Sequence, residues 1–175
     1  MLNIKENIIR KKIGQLKKIN TDHEIVIKPI KKVVILNNPQ SNLTFEMFNF
    51  LHKTLGINSL DFDIITFKEK NDHYNELRGI VASKNIFNSF GKIKSSEILE
   101  FIEKDYDLLL DFTGTQNIYE KYLSLLLKAN FKVGYYIEEG LYDLMLNVPI
   151  GDVKNFINET KKYLQILGLL SLKSN

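Results

Sequence analysis

Cysteine and tryptophan are absent from the 175 residues, and proline and methionine number only three each. Without cysteine there can be no disulfide, no thiolate nucleophile, no Cys-ligated zinc and no iron–sulfur cluster. The chain must therefore be held by its own core, and a reducing, cytoplasmic setting is expected. Long apolar runs are missing too. Stretches such as Leu108 to Leu110 and Leu125 to Leu127 fall far short of the roughly 18 residues that would cross a bilayer. The first twenty residues carry charge throughout, with neither the apolar centre nor the small-residue cleavage site of a secretory leader. The expectation is a protein that neither spans a membrane nor is exported, with contact to an anionic membrane surface left open.

Recognisable catalytic signatures are equally scarce. No GxGxxG or GxxxxGK[ST] occurs, and a single Gly114 gives little of the backbone cradle that phosphates need. His23, His52 and His73 show no metal-binding spacing and read as surface histidines. No serine sits in a G-x-S-x-G elbow. Neither a cofactor nor a metal is implied.

What is present is an ordinary globular balance, 44% hydrophobic and 26% charged, with 11 Phe and 8 Tyr to supply the bulky packing. The net charge of +3 is unevenly placed. Lys5, Arg10, Lys11, Lys12, Lys17 and Lys18 face Glu6 alone in the first twenty residues, a net +5, which leaves the remainder at −2. Leu2, Ile9, Ile13 and Leu16 recur at helical spacing in that segment, with Ile4, Ile8 and Ile19 as a second strip. A basic helix over residues 1–20 follows, with an apolar side that needs a partner. Residues 21–32 read as a linker with a short extended piece at Ile25 to Ile27.

From Lys32 onward, short β-branched runs alternate with helical periodicity. Strands are expected at Val33 to Leu36, Phe62 to Phe67, Leu108 to Phe112 and Val133 to Ile137, with a short strand at Gly79 to Ala82 and an edge strand at Leu144 to Val148 as further candidates. Helices are expected around Phe45 to Leu55, after Ser95 and Ser96, from Thr115 to near Asn130, and after Asp152. Residues 33–170 thus form one α/β domain, Rossmann-like or flavodoxin-like, with a mostly parallel sheet of four to five strands, helices on both faces and a frayed tail at 171–175.

Ligands of such sheets bind beyond the carboxyl ends of the strands, so the candidate crest is Asn37, Asn38, Ser41, Asp111, Thr113 and Thr115. The run Asp111-Phe112-Thr113-Gly114-Thr115 resembles the aspartyl-phosphate signature of haloacid dehalogenase-type phosphatases and P-type pumps. That likeness implies Asp111 as nucleophile with Glu138 or Glu139 on magnesium, whereas the residues alone read as Asp111 and Thr113 capping the next helix. Residues Tyr106 to Asp111 and Lys128 to Tyr135 resemble the acceptor half of heptosyltransferase-type glycosyltransferases, although Asn37-Asn38-Pro39 stands where that family has its catalytic Gly-Asp. Phe87 and Phe90 interleave with Lys84, Lys92 and Lys94, a pattern shared by single-stranded nucleic-acid sites and by loops packed over a sheet edge.

Phe90-Gly91-Lys92-Ile93-Lys94, the segment LLLKANFKVG from Leu125 to Gly134, and the ending Lys162 to Leu167 together resemble a small uncharacterised family of Bacteroidetes, known as a domain of unknown function. The resemblance implies a bacterial cytosolic protein with a Lys-rich N-terminal helix, a Rossmann-like body and no known activity.

The functional expectation is a non-enzymatic binding or adaptor protein. Its basic helix, through Lys5, Arg10, Lys11, Lys12, Lys17 and Lys18, engages an anionic surface, with RNA or the ribosome first and another protein next. The alternative is a small-molecule binder or Mg-dependent phosphoryl-transfer enzyme using the crest, with Asp111 and Thr113 as its catalytic residues.

Overall fold

A computed structural model describes residues 4–69, 77, 79–114, 117–137 and 140–171. In chain order the elements are α1 (Ile4–Thr21), β1 (Val33–Asn37), α2 (Phe45–Leu55), β2 (Phe62–Phe67), β3 (Ile80–Ala82), α3 (Ser96–Glu103), β4 (Asp105–Asp111), α4 (Ile118–Leu126), β5 (Lys128–Tyr135), β6 (Leu144–Leu146) and α5 (Val153–Ile166). Single 3₁₀ turns lie at Ser59–Asp61 and Lys84–Ile86.

All strand pairs are parallel, in the order β3-β2-β1-β4-β5-β6. This is the doubly wound Rossmann order, built from two halves that run outward from β1 and β4. The sheet has six strands rather than four to five, because Ile80–Ala82 and Leu144–Leu146 both pair in parallel at the edges. The apolar runs in β1 and β4 occupy the centre, where both faces are covered and no polar alternation is needed.

Alternation along the strands sorts the core into two layers. Val33, Ile35, Leu108, Leu110 and Val133 pack with α2 and α5, while Val34, Leu36, Ile65 and Leu109 pack with α1, α3 and α4. The helix ends follow local chemistry. Thr44 accepts the Met47 amide to start α2, Gly56 at φ +69° ends it, and Ser95 and Asp152 cap α3 and α5.

Two expectations need correction. Helix α4 is capped by Asn117, whose Oδ1 accepts the Tyr119 amide at 2.9 Å, and not by Asp111 or Thr113. It stops at Leu126, so β5 begins at Lys128, five residues before Val133; Leu127 is drawn into the core rather than into another helical turn. The sequence leaves open what covers the apolar side of the basic helix; α1 runs to Thr21 and lies against α4, with Ile9 wholly buried and Ile13 nearly so. Its second strip stays outside, Ile4 and Ile19 being largely exposed. The polar stretch around His73 lies outside the described residues.

Candidate functional site

The strand order puts the topological switch point between β1 and β4, where the two halves diverge and ligands of this fold ordinarily sit. The loops there do bring Asn37, Asn38, Ser41, Asp111 and Thr113 together, but none of the five is more than 3% exposed. Thr115, Glu138 and Glu139 lie outside the described residues. Asp111 Oδ1 accepts the Thr113 amide at 2.9 Å and the Thr113 hydroxyl at 2.6 Å, and Oδ2 accepts the Tyr142 hydroxyl at 2.8 Å. Asn38 Nδ2 reaches the Thr113 carbonyl at 3.1 Å and the Glu120 carboxylate at 3.2 Å. Ser41 donates to Asn37 Oδ1 and accepts the Leu43 amide, tying the first loop to itself.

Burial raises the Asp111 carboxyl pKa against the opposing pull of its Thr113 and Tyr142 hydrogen bonds, and burial likewise drives the Tyr142 phenol well above its ordinary range. Beneath them Lys132 is buried, its ammonium 3.4 and 3.5 Å from the Ser124 and Leu125 carbonyls near the end of α4. Burial lowers its pKa to about 8, although Asp143 and Asp111 favour the charged form. Tyr142, Glu120 and Lys132 are network members that sequence reasoning missed. One signal was available: a Cβ at Gly134 would fall 2.3 Å from the Tyr142 ring, so the glycine of the Lys132-Val133-Gly134 run exists to let that ring lie on the strand.

The crest is also roofed. Gly114, at φ +58°, sits under Ile150 and Tyr135, the Tyr135 hydroxyl accepts the Gly151 amide at 3.3 Å, and Asn42 reaches the Gly151 carbonyl. A nucleophilic aspartate needs a free carboxylate oxygen facing a cleft, whereas both Asp111 oxygens are engaged by the chain itself. Among the described residues no three His, Asp or Glu side chains gather where a metal could be held.

A different surface assembles elsewhere. Helix α1 and the loop 83–94 lie side by side, joined by Lys5 Nζ on the carbonyls of Lys84 (2.7 Å) and Phe87 (2.8 Å) and by Lys12 Nζ 3.5 Å from the Gly91 carbonyl. The loop is a tight hairpin: Phe87 and Ile93 bridge, and Asn88 Oδ1 accepts the Phe90 and Lys92 amides at 2.9 and 3.0 Å. Gly91 takes φ +66° at its tip, with its carbonyl held by Tyr122 at 3.0 Å.

The two aromatics part ways. Phe87 is buried against Tyr119 and Tyr122, with ring centroids 5.9 and 5.3 Å apart, so it is core; Phe90 projects outward at 68% exposure. Lys84, Lys92 and Lys94 of the same loop are exposed. Burial first, and then the nearby charges of Lys94 and Lys84, lower the Lys5 pKa. Arg10 and Lys84 line a shallow depression of about 320 Å³ with Glu6, Glu69, Asn117 and Tyr119. The six N-terminal cations are thus divided: Lys5, Arg10 and Lys12 adjoin the loop, Lys11 and Lys18 are exposed, and Lys17 lies against Gly140 at the other end.

Together these features define a doubly wound α/β protein whose described crest side chains are buried and paired with one another, and whose N-terminal helix shares a face bearing Lys5, Lys12, Lys84 and Lys94 with the 83–94 hairpin. The chain belongs to a family of unknown function (DUF6913), whose family model matches residues 5–167. No curated protein and no solved structure matches it. The segments that carried the resemblance have structural tasks here. Phe90 to Lys94 makes the hairpin against α1, Leu125 to Gly134 joins α4 to β5 and holds Lys132, and Lys162 to Leu167 ends α5.

Proposed function

We propose that this protein is a non-enzymatic binding module that engages an anionic polymer, RNA first, through the face made by α1 and the 83–94 hairpin. One observation carries the reading: cations some eighty residues apart in sequence, Lys5 and Lys12 on the helix and Lys84 and Lys94 on the loop, are brought to one surface, where Lys5 Nζ sits on the Lys84 and Phe87 carbonyls and Lys12 Nζ on that of Gly91. Crowding like charges is unfavourable in the free protein and is relieved when phosphates approach and release their counterions. The exposed Phe90 at the hairpin tip adds a flat ring on which an unpaired base can stack. Among the described residues the crest side chains are buried and paired with one another.

Fluorescence anisotropy of a labelled single-stranded RNA, titrated at several salt concentrations, tests this. The double substitution Lys92→Glu and Lys94→Glu should weaken binding and flatten the log–log salt dependence by about 0.7 per lost phosphate contact. Phe90→Ala should weaken it by about tenfold or more. Lys154→Glu, exposed on α5, should change little. Absence of binding at low salt, or equal losses from all variants, would overturn the RNA assignment and turn attention to an acidic protein or an anionic membrane.

A further inference from the structure

We infer that a second copy of this chain pairs with the first through residues 24–28, an exposed extended segment with one side already occupied and the other free. Val26 donates its amide to Asn130 Oδ1 at 2.9 Å and accepts from Asn130 Nδ2 at 2.8 Å. One residue presents its N–H and C=O to the same partner only when its backbone is extended, so the Asn130 amide stands in for a neighbouring strand. The consequence follows from the trans peptide bond. In each peptide plane N–H and C=O point opposite ways, so the Ile25 carbonyl and the Ile27 amide must point away from Asn130. Neither has a hydrogen-bond partner among the described residues. Ile25, Val26 and Ile27 are 37, 54 and 62% exposed, an apolar run that a lone protein has little reason to leave in water.

The occupant is identified by the segment's own complementarity. If a two-fold axis sets Val26 opposite Val26 of an antiparallel copy, each Ile27 amide meets the other copy's Ile25 carbonyl, which uses the outward groups and leaves the Asn130 bonds intact. The same register sets Glu24 opposite Lys28 at both ends, and Ile25 opposite Ile27. Glu-Ile-Val-Ile-Lys is therefore self-complementary in charge and apolar character, as a contact that uses the same patch on both subunits requires. Lys28 already pairs with Asp107 at 2.7 Å yet stays about half exposed, so its ammonium can take a second carboxylate. Ile27 also approaches the Gly168 backbone, and the exposed Ile166 and Leu167 just before it extend the apolar area beyond the paired strands. With the inner side closed by Asn130 and Pro29 ending the run, the contact stops at two copies and cannot propagate into a fibre.

Sedimentation velocity of the full, nuclease-treated chain over a roughly hundredfold concentration range tests this independently of any RNA binding. A reversible monomer–dimer equilibrium is expected. Ile27→Pro removes the outward donor together with the Ile27 side chain, and Glu24→Lys sets like charges opposite each other twice; each should raise the dimer dissociation constant by about tenfold or more. Melting curves of both variants verify folding, and if Ile27→Pro fails to fold, Glu24→Lys carries the comparison. Hydrogen exchange gives the sharper reading: the Ile27 amide should gain protection as concentration rises, while Val26 is protected throughout. A wild-type monomer across the range, a dimer indifferent to both substitutions, or an Ile27 amide that exchanges fast at every concentration would overturn the inference.

Discussion

At the scale of single residues, the most informative positions are those where a charge is buried. Asp111 keeps three hydrogen bonds and Asn38 and Glu120 lean on one another, so the polar cluster under the crest is satisfied mainly by itself. Lys132 is the member with a usable titration. Its folded pKa of about 8 lies below the ordinary 10.5, so above pH 8 the unfolded chain holds its proton more tightly than the folded one. Stability should therefore rise with pH from 8 upward and be lost again as pH falls through 8. Above 10.0 the buried tyrosines act oppositely: Tyr142, Tyr106 and Tyr122 have raised pKa values, so the unfolded chain loses those protons first and stability falls. Between pH 8 and 10 the Lys132 contribution should amount to about 2 to 3 kcal/mol, and Lys132→Met should flatten it. Urea denaturation of both proteins at unit pH steps checks the difference; equal slopes would mean that Lys132 is hydrated in the folded state.

At the scale of elements, α1 shows how far periodicity reaches. The spacing of Ile9, Ile13 and Leu16 correctly marks the buried side of a helix, since only that pattern places them over one another. What they touch was not legible, because an amphipathic face specifies that it will be covered and not by what. The answer lies in α4 and in a hairpin some eighty residues away, where Gly91 leaves just enough room for Ile9: a Cβ there would stand 3.2 Å from Ile9 Cγ1. If α1 is an integral layer of the fold, Ile9→Ala should cost about 2 to 4 kcal/mol, as for a core isoleucine. Gly91→Ala should cost about 1 kcal/mol or more, since its φ of +66° is unfavourable for any side chain and its new methyl presses on Ile9. Chemical denaturation measures both. A near-neutral Ile9→Ala would mean that α1 is an appendage, and the shared basic face would lose its rigid support.

At the scale of the whole molecule, strand-helix alternation and the wholly apolar strands announced a parallel sheet, and the order 3-2-1-4-5-6 settles which loops meet. The positions of Asn37, Asn38, Asp111 and Thr113 at or just beyond strand ends were legible, because strands end where apolar runs stop. Their burial was not, since the roof comes from Ile150 and Gly151 after β6 and the closing hydrogen bond from Tyr142, neither of which carries a local signal. That roof leads to the last prediction. A ligand present at a hundredfold excess over its dissociation constant adds about 2.7 kcal/mol to the stability of the protein it binds. For a domain of this size that is a rise in melting temperature of several degrees. Because the described crest side chains are buried and paired with one another, nicotinamide dinucleotides, nucleoside triphosphates with magnesium and simple phosphate esters should each move the melting temperature by less than about 1 °C. A shift of several degrees with any of them would show that the Ile150 roof lifts and that Asp111 exchanges its internal partners for a ligand, and would restore the phosphoryl-transfer reading over the binding module.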